Sequence, residues 1–343
     1  MKKIKPLDKK QVIDAINGVS NPSRVPSIFS IWLPPYKMGY KLIKALRCTN
    51  KYPNDIKVFY TPSYLIPGLN GNNILIFDKK KNKKKALDES IELEDYKDID
   101  TFIKRINDPN KVCIPRLPKS KQYRLGIFWN FLFESLWQIR GMENALTDFY
   151  LYPDEVHKLF RKITDFYKNL VVRSAQRAKI DGFFMSDDLG HQTGTFFSPE
   201  IFKEFFYPYY QEIIDEAHKN HIHFWLHTCG NVKEFMPMFI DLKLDVIHPI
   251  QKYAMDEVKI FNEYKDKICF LYGFDVQQII PYGTSEDVRE EVRRVYDLFS
   301  KAKGRLIFTS GNAINSNCPL DSYLALIEEA KKYNPYKQGG TQL

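Results

Sequence analysis

Short apolar runs alternate with amphipathic stretches along the second half of the chain, from Asp181 onward. Apolar runs of about four to eight residues are typical of strands, and longer stretches with apolar residues three or four apart are typical of helices. Strands and helices in strict alternation form a parallel sheet or a barrel. The pattern therefore predicts an α/β fold, with strands at 182–186, 222–227, 245–248, 268–272 and 306–309 and helices such as 199–220 and 285–302.

The part before residue 121 has a less regular pattern. From 125 to 178 the chain predicts a strand at 125–129 and then helix, with breaks at Gly141 and Pro153. Neither a linker nor a repeat of fixed period divides the sequence. We therefore predict one domain over residues 1–343, with an irregular part at 1–120 and βα repeats at 121–335. The earlier elements are predicted as helices near 10–17, 41–47 and 98–107 and strands near 25–32, 58–60 and 74–77.

The composition fits a folded protein of the cytoplasm. Hydrophobic residues make up 44% and aromatic residues 15% of the 343 residues, which supplies a large core and excludes a disordered chain. An uncharged apolar run of about 18 residues, as a membrane-spanning helix needs, does not occur. The lysines at the start are not followed by the apolar stretch of a secretory signal. Because the five cysteines are scattered and odd in number, we expect reduced thiols.

The net charge of +9 is concentrated in one lysine-rich run at 79–85. Such a run is usually a solvated loop, and the alternative is a docking patch for an acidic partner or an anionic ligand. Zinc-finger spacing and RNA-binding aromatic segments do not accompany the lysines, so nucleic-acid binding has little support.

Polar, reactive side chains follow each of the late predicted strands. Sites in α/β folds form where the carboxyl ends of parallel strands meet, so these side chains predict one functional site. Taken singly, each is equally explained as a loop residue or a cap. The strand-end residues are Asp187 and Asp188, then His227 and Cys229, then His248, Asp275 and Asn312.

The segment His227-Thr228-Cys229-Gly230 indicates a metal site. Side chains two apart in a strand share a face, so the imidazole and the thiol point the same way, together with Trp225. Nitrogen and sulfur ligands suit Zn²⁺, and Gly230 lets the backbone turn away. Two ligands do not complete a zinc site, and a packed histidine beside an inert thiol is the alternative.

A series of short motifs carries a resemblance to a known family. Asp187-Asp188-Leu189-Gly190 is followed by Gln192-Thr193-Gly194 and by Ser198-Pro199-Glu200. The segments 227–231, 248–251 and 273–277 then come in order, and 133–137 and 140–144 precede them. In order and spacing these motifs resemble the uroporphyrinogen decarboxylase superfamily, over roughly residues 125–333. The resemblance implies a (β/α)₈ TIM-type barrel.

Within that superfamily the chain looks closer to the zinc- and corrinoid-using methyltransferases. The haem-pathway decarboxylases have an early arginine-rich segment and an early strand-end aspartate, and the comparable stretches at 32–39 and 59–63 lack both. In the methyltransferase branch His-x-Cys supplies two zinc ligands and a cysteine after the last strand supplies a third. Asn312 stands at that position here, and Cys318 lies further along the same loop. Either Cys318 or an acid such as Asp187, a water or the substrate completes the shell.

The resemblance implies methyl transfer between a methylated small molecule or thiol and a corrinoid (cobalamin) protein, with zinc as a Lewis acid. The alternatives are decarboxylation of a porphyrinogen and a non-catalytic barrel that binds a corrinoid or another small ligand. The predicted roles are catalytic for Asp187, Asp188 and Asp275, substrate-binding for Gln192, Trp225, His248, Gln251 and Asn312, and metal-binding for His227, Cys229 and Cys318.

Overall fold

The structure is a computed structural model of the chain. It describes residues 4–30, 44, 50–60, 77–78, 83–84, 93–299, 303–312, 314 and 318–332. Most of the predicted helix at 41–47, most of the predicted strand at 74–77 and most of the lysine run at 79–85 lie outside the described residues.

The chain divides into two compact units. The first comprises Met1–Val58, Lys119–Leu125 and Asp245–Leu343, and the second comprises Phe59–Pro118 and Gly126–Leu244. Strands β1 (Ile56–Tyr60) and β4 (Tyr123–Ile127) have residues in both units. A short antiparallel pair, β2 (Phe77–Asp78) with β3 (Lys83–Lys84), includes two lysines of the basic run.

The second unit also contains helices and a pair of parallel strands. Strands β5 (Gly182–Ser186) and β6 (His223–His227) run in parallel, with Ser186 opposite His227. The strand prediction at 182–186 is confirmed, and the one at 222–227 is confirmed to within one residue. The α-helices among the described residues of this unit are α2 (Ile99–Ile103), α3 (Leu132–Arg140), α4 (Met142–Leu151), α5 (Pro153–Arg173), α6 (Pro199–Ile201), α7 (Tyr207–Lys219) and α8 (Met236–Asp241).

The helix breaks and the strand phase of this unit follow from local sequence. Gly141 has φ +80° and separates α3 from α4, and Pro153 opens α5, so both predicted breaks are confirmed. The predicted helix at 199–220 is interrupted by one π turn at Phe202–Phe206. Alternate strand residues face opposite ways, as predicted: Phe183 stacks on Phe224, whereas Phe184 meets Trp225 and His227 edge to face.

The first unit contains three further parallel strands. Strand β7 (Val246–His248) pairs with β8 (Cys269–Gly273), and β8 pairs with β9 (Leu306–Thr309). The three strands predicted here are confirmed to within one residue at each end. In the part of this unit that the structure describes, the helices include α1 (Lys9–Ile16), α9 (Glu257–Tyr264), α10 (Ile279–Tyr282), α11 (Ser285–Phe299) and α12 (Leu320–Lys332).

The strand predicted at 25–32 is wrong over its described part. Residues 25–30 form one parallel bridge, from Ser27 to Phe308. The amides of Ser27 and Phe29 donate to the side chains of Asp55 and Asn54 and are therefore not available to a strand ladder. The predicted surface helix at 98–107 is shorter than expected and spans Ile99–Ile103.

Membrane crossing finds no support in the helices that the structure describes, because none of them is both long enough and apolar enough to span a bilayer.

Candidate functional site

Two strand-end loops of the second unit approach each other closely. One follows β5 and carries Asp187 and Asp188, and the other follows β6 and carries Cys229. The backbone N–H of Asp187 donates to His227 O at 2.9 Å, and that of Asn231 donates to His191 O at 2.7 Å. These bonds tie the two loops together backbone to backbone.

Asp188, His227 and Cys229 bring three potential metal ligands together. Their ligand atoms all lie within 4.8 Å of one another. Cys229 Sγ is 3.3 Å from His227 Nε2, which is 3.5 Å from Asp188 Oδ1. With ordinary zinc–ligand bond lengths, the edges of a tetrahedral site measure about 3.4–3.6 Å. The spacing and the N, S and O donors therefore fit a zinc ion.

The protonation of His227 and the orientation of Asp188 both favour metal binding. Burial lowers the pKa of His227 against the opposing effect of Asp188, which keeps the imidazole neutral, as a ligand must be. The Cys229 N–H donates to Asp188 Oδ1 at 2.8 Å and fixes that carboxylate beside the thiol. The side chain of Asp188 is 25% exposed and that of His227 5%, so the group is open to a ligand from the Asp188 side.

Asp187 is held differently from its neighbour. It is fully buried, and its two carboxylate oxygens accept from the Glu134 N–H at 2.9 Å and from the Tyr210 hydroxyl at 2.7 Å. Burial raises the pKa of Asp187 to about 7, against the effect of these two hydrogen bonds. These contacts favour Asp187 as a residue that orders the loop over Asp187 as a metal ligand, and its catalytic role stays a prediction.

Glu134, in the first turn of α3, is a member of this cluster that the sequence analysis did not single out. Its side chain is buried, and its carboxylate accepts from the Ser186 hydroxyl at 2.6 Å and from the N–H groups of Asp188 and Asn130 at 3.2 and 3.1 Å. Burial and then the nearby carboxylates of Asp188 and Asp187 raise the pKa of Glu134 well above its usual range. The signal available in the sequence was an acid within the mostly apolar segment 131–137.

The other residues predicted for this unit occupy contrasting positions. Gln192 is exposed in the loop after β5, where a side chain can meet a ligand. Trp225 is fully buried, and its ring meets Phe184 at 6.1 Å between centroids. Both substrate-binding roles stay predictions.

The remaining predicted residues belong to the first unit. His248 is buried at the end of β7, and Asp275 follows β8. The Asp275 carboxylate accepts from the N–H groups of Gln277, Gln278 and Ile279 and from the Tyr253 hydroxyl. These bonds give it a sufficient structural role as the cap of a turn, and its catalytic role stays a prediction. Gln251 is half-buried, Asn312 is exposed and Cys318 is buried.

The third potential ligand of this group is Asp188. Within the described chain the three-ligand group contains Asp188 and does not include Cys318, which belongs to the first unit. Asp188, predicted as a catalytic acid, is thus in a position to bind metal, and metal binding by Cys318 stays a prediction.

Comparison with known proteins identifies a matching family model and a solved structure with a similar fold. The family model described as Uroporphyrinogen decarboxylase (URO-D) matches residues 134–333. A methyltransferase from Methanosarcina mazei has a similar structure, with a TM-score of 0.62 and 12% identity, covering 95% of this chain and 98% of that one. No curated protein matches by sequence.

Two further solved structures are more distant. A sugar phosphate isomerase/epimerase from Parabacteroides distasonis has a TM-score of 0.40 at 9% identity, over 94% of this chain and 99% of that one. An endo-beta-1,4-xylanase from Gloeophyllum trabeum has a TM-score of 0.39 at 9% identity, over 61% and 76%. Both TM-scores are low, so neither structure indicates a function for this chain.

Proposed function

Since the chain belongs to the uroporphyrinogen decarboxylase family, we propose that it is a zinc-dependent methyltransferase built on a complete (β/α)₈ barrel. In this proposal a methyl group passes between a methylated small molecule or thiol and a corrinoid protein. The reaction takes place in the cytoplasm, where a thiolate ligand stays reduced.

One observation carries the proposal, the arrangement of Asp188, His227 and Cys229 at the ends of two parallel strands. The distances from His227 Nε2 to Cys229 Sγ and to Asp188 Oδ1 match the edges of a tetrahedral zinc site, and three such ligands leave a fourth position for a substrate or a water. The fold shared with a methyltransferase over nearly the whole chain supports the same class of reaction.

The chain's own residues supply binding and orientation. Zinc, when bound, supplies a Lewis acid that lowers the pKa of a thiol or polarises a methoxy oxygen. His227 offers a neutral nitrogen, Cys229 a thiolate and Asp188 a carboxylate oxygen, so the ligand charges balance those of the ion. The Cys229 N–H keeps the Asp188 carboxylate turned toward the thiol. In the thiol direction, a corrinoid protein would supply the methyl group, and Asp188, His227 and Cys229 would hold the zinc ion that binds the substrate sulfur.

Zinc content tests the proposal directly. Wild-type protein purified without chelator is expected to hold close to one zinc ion per chain. The variants His227→Ala, Cys229→Ala and Asp188→Asn are each expected to lose at least about tenfold in zinc affinity, because three protein ligands hold the ion. The control variants Cys113→Ala and His218→Ala remove the same chemical groups away from the site and are expected to keep the metal. A wild type without zinc, or ligand variants that retain it, would overturn the proposal.

Activity is measured with free methylcobalamin and dithiothreitol as probes, followed by the absorbance of the cobalamin. Zinc-loaded wild type is expected to accelerate demethylation, and the three ligand variants are expected to remain near the uncatalysed rate. Zinc binding with no acceleration would favour the non-catalytic binding protein. Incubation with uroporphyrinogen tests the decarboxylase, for which products with fewer carboxylates would be decisive.

A further inference from the structure

One side chain, that of Glu134, joins the first turn of α3 to the whole end of strand β5. Its carboxylate accepts from the Ser186 hydroxyl at 2.6 Å and from the Asp188 N–H at 3.2 Å, both at Oε1. Its own backbone N–H donates to the intervening Asp187 at 2.9 Å. Glu134 thus bonds three consecutive residues of the strand end.

Asp188 links this strand end to the other two potential metal ligands, His227 and Cys229. Glu134 fixes the backbone of Asp188, whose Oδ1 accepts from the Cys229 N–H at 2.8 Å and lies 3.5 Å from His227 Nε2. A shift of the Asp188 backbone would move its carboxylate relative to the other two ligand atoms. Glu134 therefore contacts the backbone of one candidate ligand, Asp188, and none of the three potential ligand atoms in the contacts that the structure describes.

The other oxygen of Glu134 is also engaged. Oε2 accepts from the N–H of Asn130, a residue with φ +62° at the turn that leads into α3. Both oxygens of the carboxylate therefore face donor groups, two N–H groups and one hydroxyl. Burying a carboxylic group costs free energy that aliphatic packing would avoid, and an arrangement of this kind is typical of residues that orient metal ligands.

We propose that Glu134 is a positioning residue that holds Asp188 in register with His227 and Cys229 for metal binding. The proposal rests on the metal site of the proposed function and deepens it by naming the residue that orders that site. Loss of such outer partners typically weakens metal binding by 10- to 100-fold.

The variant Glu134→Gln keeps the size of the side chain and replaces one acceptor oxygen with a donor NH₂ group. The amide group can take two orientations. In one, its NH₂ group faces the Asn130 N–H, and in the other it faces the Ser186 hydroxyl and the Asp188 N–H. In either orientation one hydrogen bond to an N–H group is lost. Ser186→Ala removes the 2.6 Å hydrogen bond without altering Glu134 and serves as the second variant. Glu212→Gln makes the same chemical change on a part-exposed acid paired with Arg161 and Lys168, and is the matched control.

Titration with Zn²⁺ and with Co²⁺ tests the proposal, with thermal unfolding as a check on folding. Glu134→Gln is expected to bind both ions 10- to 100-fold more weakly and to change the visible spectrum of the Co²⁺ form, whereas Glu212→Gln matches wild type. Ser186→Ala is expected to shift affinity in the same direction by a smaller factor. In an Asp188→Asn background, Glu134→Gln is expected to add less than about twofold, because its effect acts through Asp188.

Three results would overturn the positioning role. They are unchanged affinity and Co²⁺ spectrum in both Glu134→Gln and Ser186→Ala, an equal loss in Glu212→Gln, or fully additive losses in the double variant. If Glu134→Gln does not fold, Ser186→Ala alone decides between the two outcomes. A wild type that binds neither ion overturns the proposed function itself, which separates the two failures.

Discussion

Replacing Gly230 with alanine is expected to disrupt the strand-end loops and to abolish metal binding. Gly230 has φ +82°, a conformation that costs an L-residue about 1–3 kcal/mol. A Cβ atom there would lie 2.2 Å from the carbonyl carbon of Gly190 and 2.5 Å from the N atom of His191. Because these atoms are backbone, no side chain can turn aside, and the two loops must separate. Overpacking of this kind adds about 1–3 kcal/mol.

The effect is measured as the free energy of unfolding in urea and as zinc content. A loss of about 3 kcal/mol or more is expected for Gly230→Ala, together with loss of zinc, since Cys229 adjoins the displaced residue. Gly194→Ala is the matched control in the same pair of loops, because its added Cβ meets no atom closer than 3.7 Å. A Gly230→Ala protein with the stability and zinc content of wild type would show that the close approach of the loops is not required.

The sequence predicted that His227 and Cys229 share a face, but it did not predict that Asp188 is the third potential ligand. His227 and Cys229 are two apart on one strand end, and the period of a strand alone places them on one face. Asp188 belongs to a different strand end, 41 residues before Cys229 in the chain, and only the parallel register of β5 and β6 brings it to them. The sequence identified Asp188 as reactive without assigning it to the metal.

Glu134 was missed for a related reason. Its position in an apolar segment indicates a buried helix, but the sequence does not say which strand end that helix meets. The partner residues Ser186 and Asp188 lie more than 50 positions away. Contacts over such separations follow from tertiary packing, which local pattern does not encode.

The contrast between local sequence pattern and tertiary contacts also explains which strands could be predicted. The strands at 182–186 and 306–309 are apolar runs with clear boundaries, and their predicted limits agree with the structure. The run at 25–30 is equally apolar at several positions, yet Asp55 and Asn54 take up two of its amide groups. Hydrophobic pattern predicts burial in both cases, and only the partners of the backbone amides decide whether a strand forms.

Asp55, which accepts from the amide of Ser27, is also the centre of a buried ionic cluster in the first unit. Arg24 donates to both oxygens of Asp55, and Lys331 Nζ lies 3.0 Å from Asp55 Oδ2. The side chains of Asp55 and Lys331 are fully buried, and that of Arg24 is 5% exposed. Burial by itself raises the pKa of Asp55, but Lys331 and then Arg24 outweigh it and lower the pKa to about 2.

Asp55→Asn is therefore expected to lower the free energy of unfolding at pH 7 by about 3–5 kcal/mol, because two buried cations lose their shared anion. The folded-state pKa of Asp55 lies below the ordinary value of 3.8, so its ionic contribution is complete above about pH 4 and is lost as the pH falls toward 2. The stability difference between wild type and variant is expected to stay constant from pH 7 to 5 and to shrink between pH 4 and 2.

Urea unfolding of wild type and variant across this pH range measures the difference. Asp14→Asn is the control, since Asp14 pairs with the exposed Lys10 on the surface of α1 and such pairs contribute little to stability. A stability difference that is as large at pH 2 as at pH 7 would mean that Asp55 acts through its hydrogen bonds to Leu7 and Ser27 and not through its charge. A difference below about 1 kcal/mol at pH 7 would mean that solvation of Arg24 and Lys331 by water replaces the lost anion.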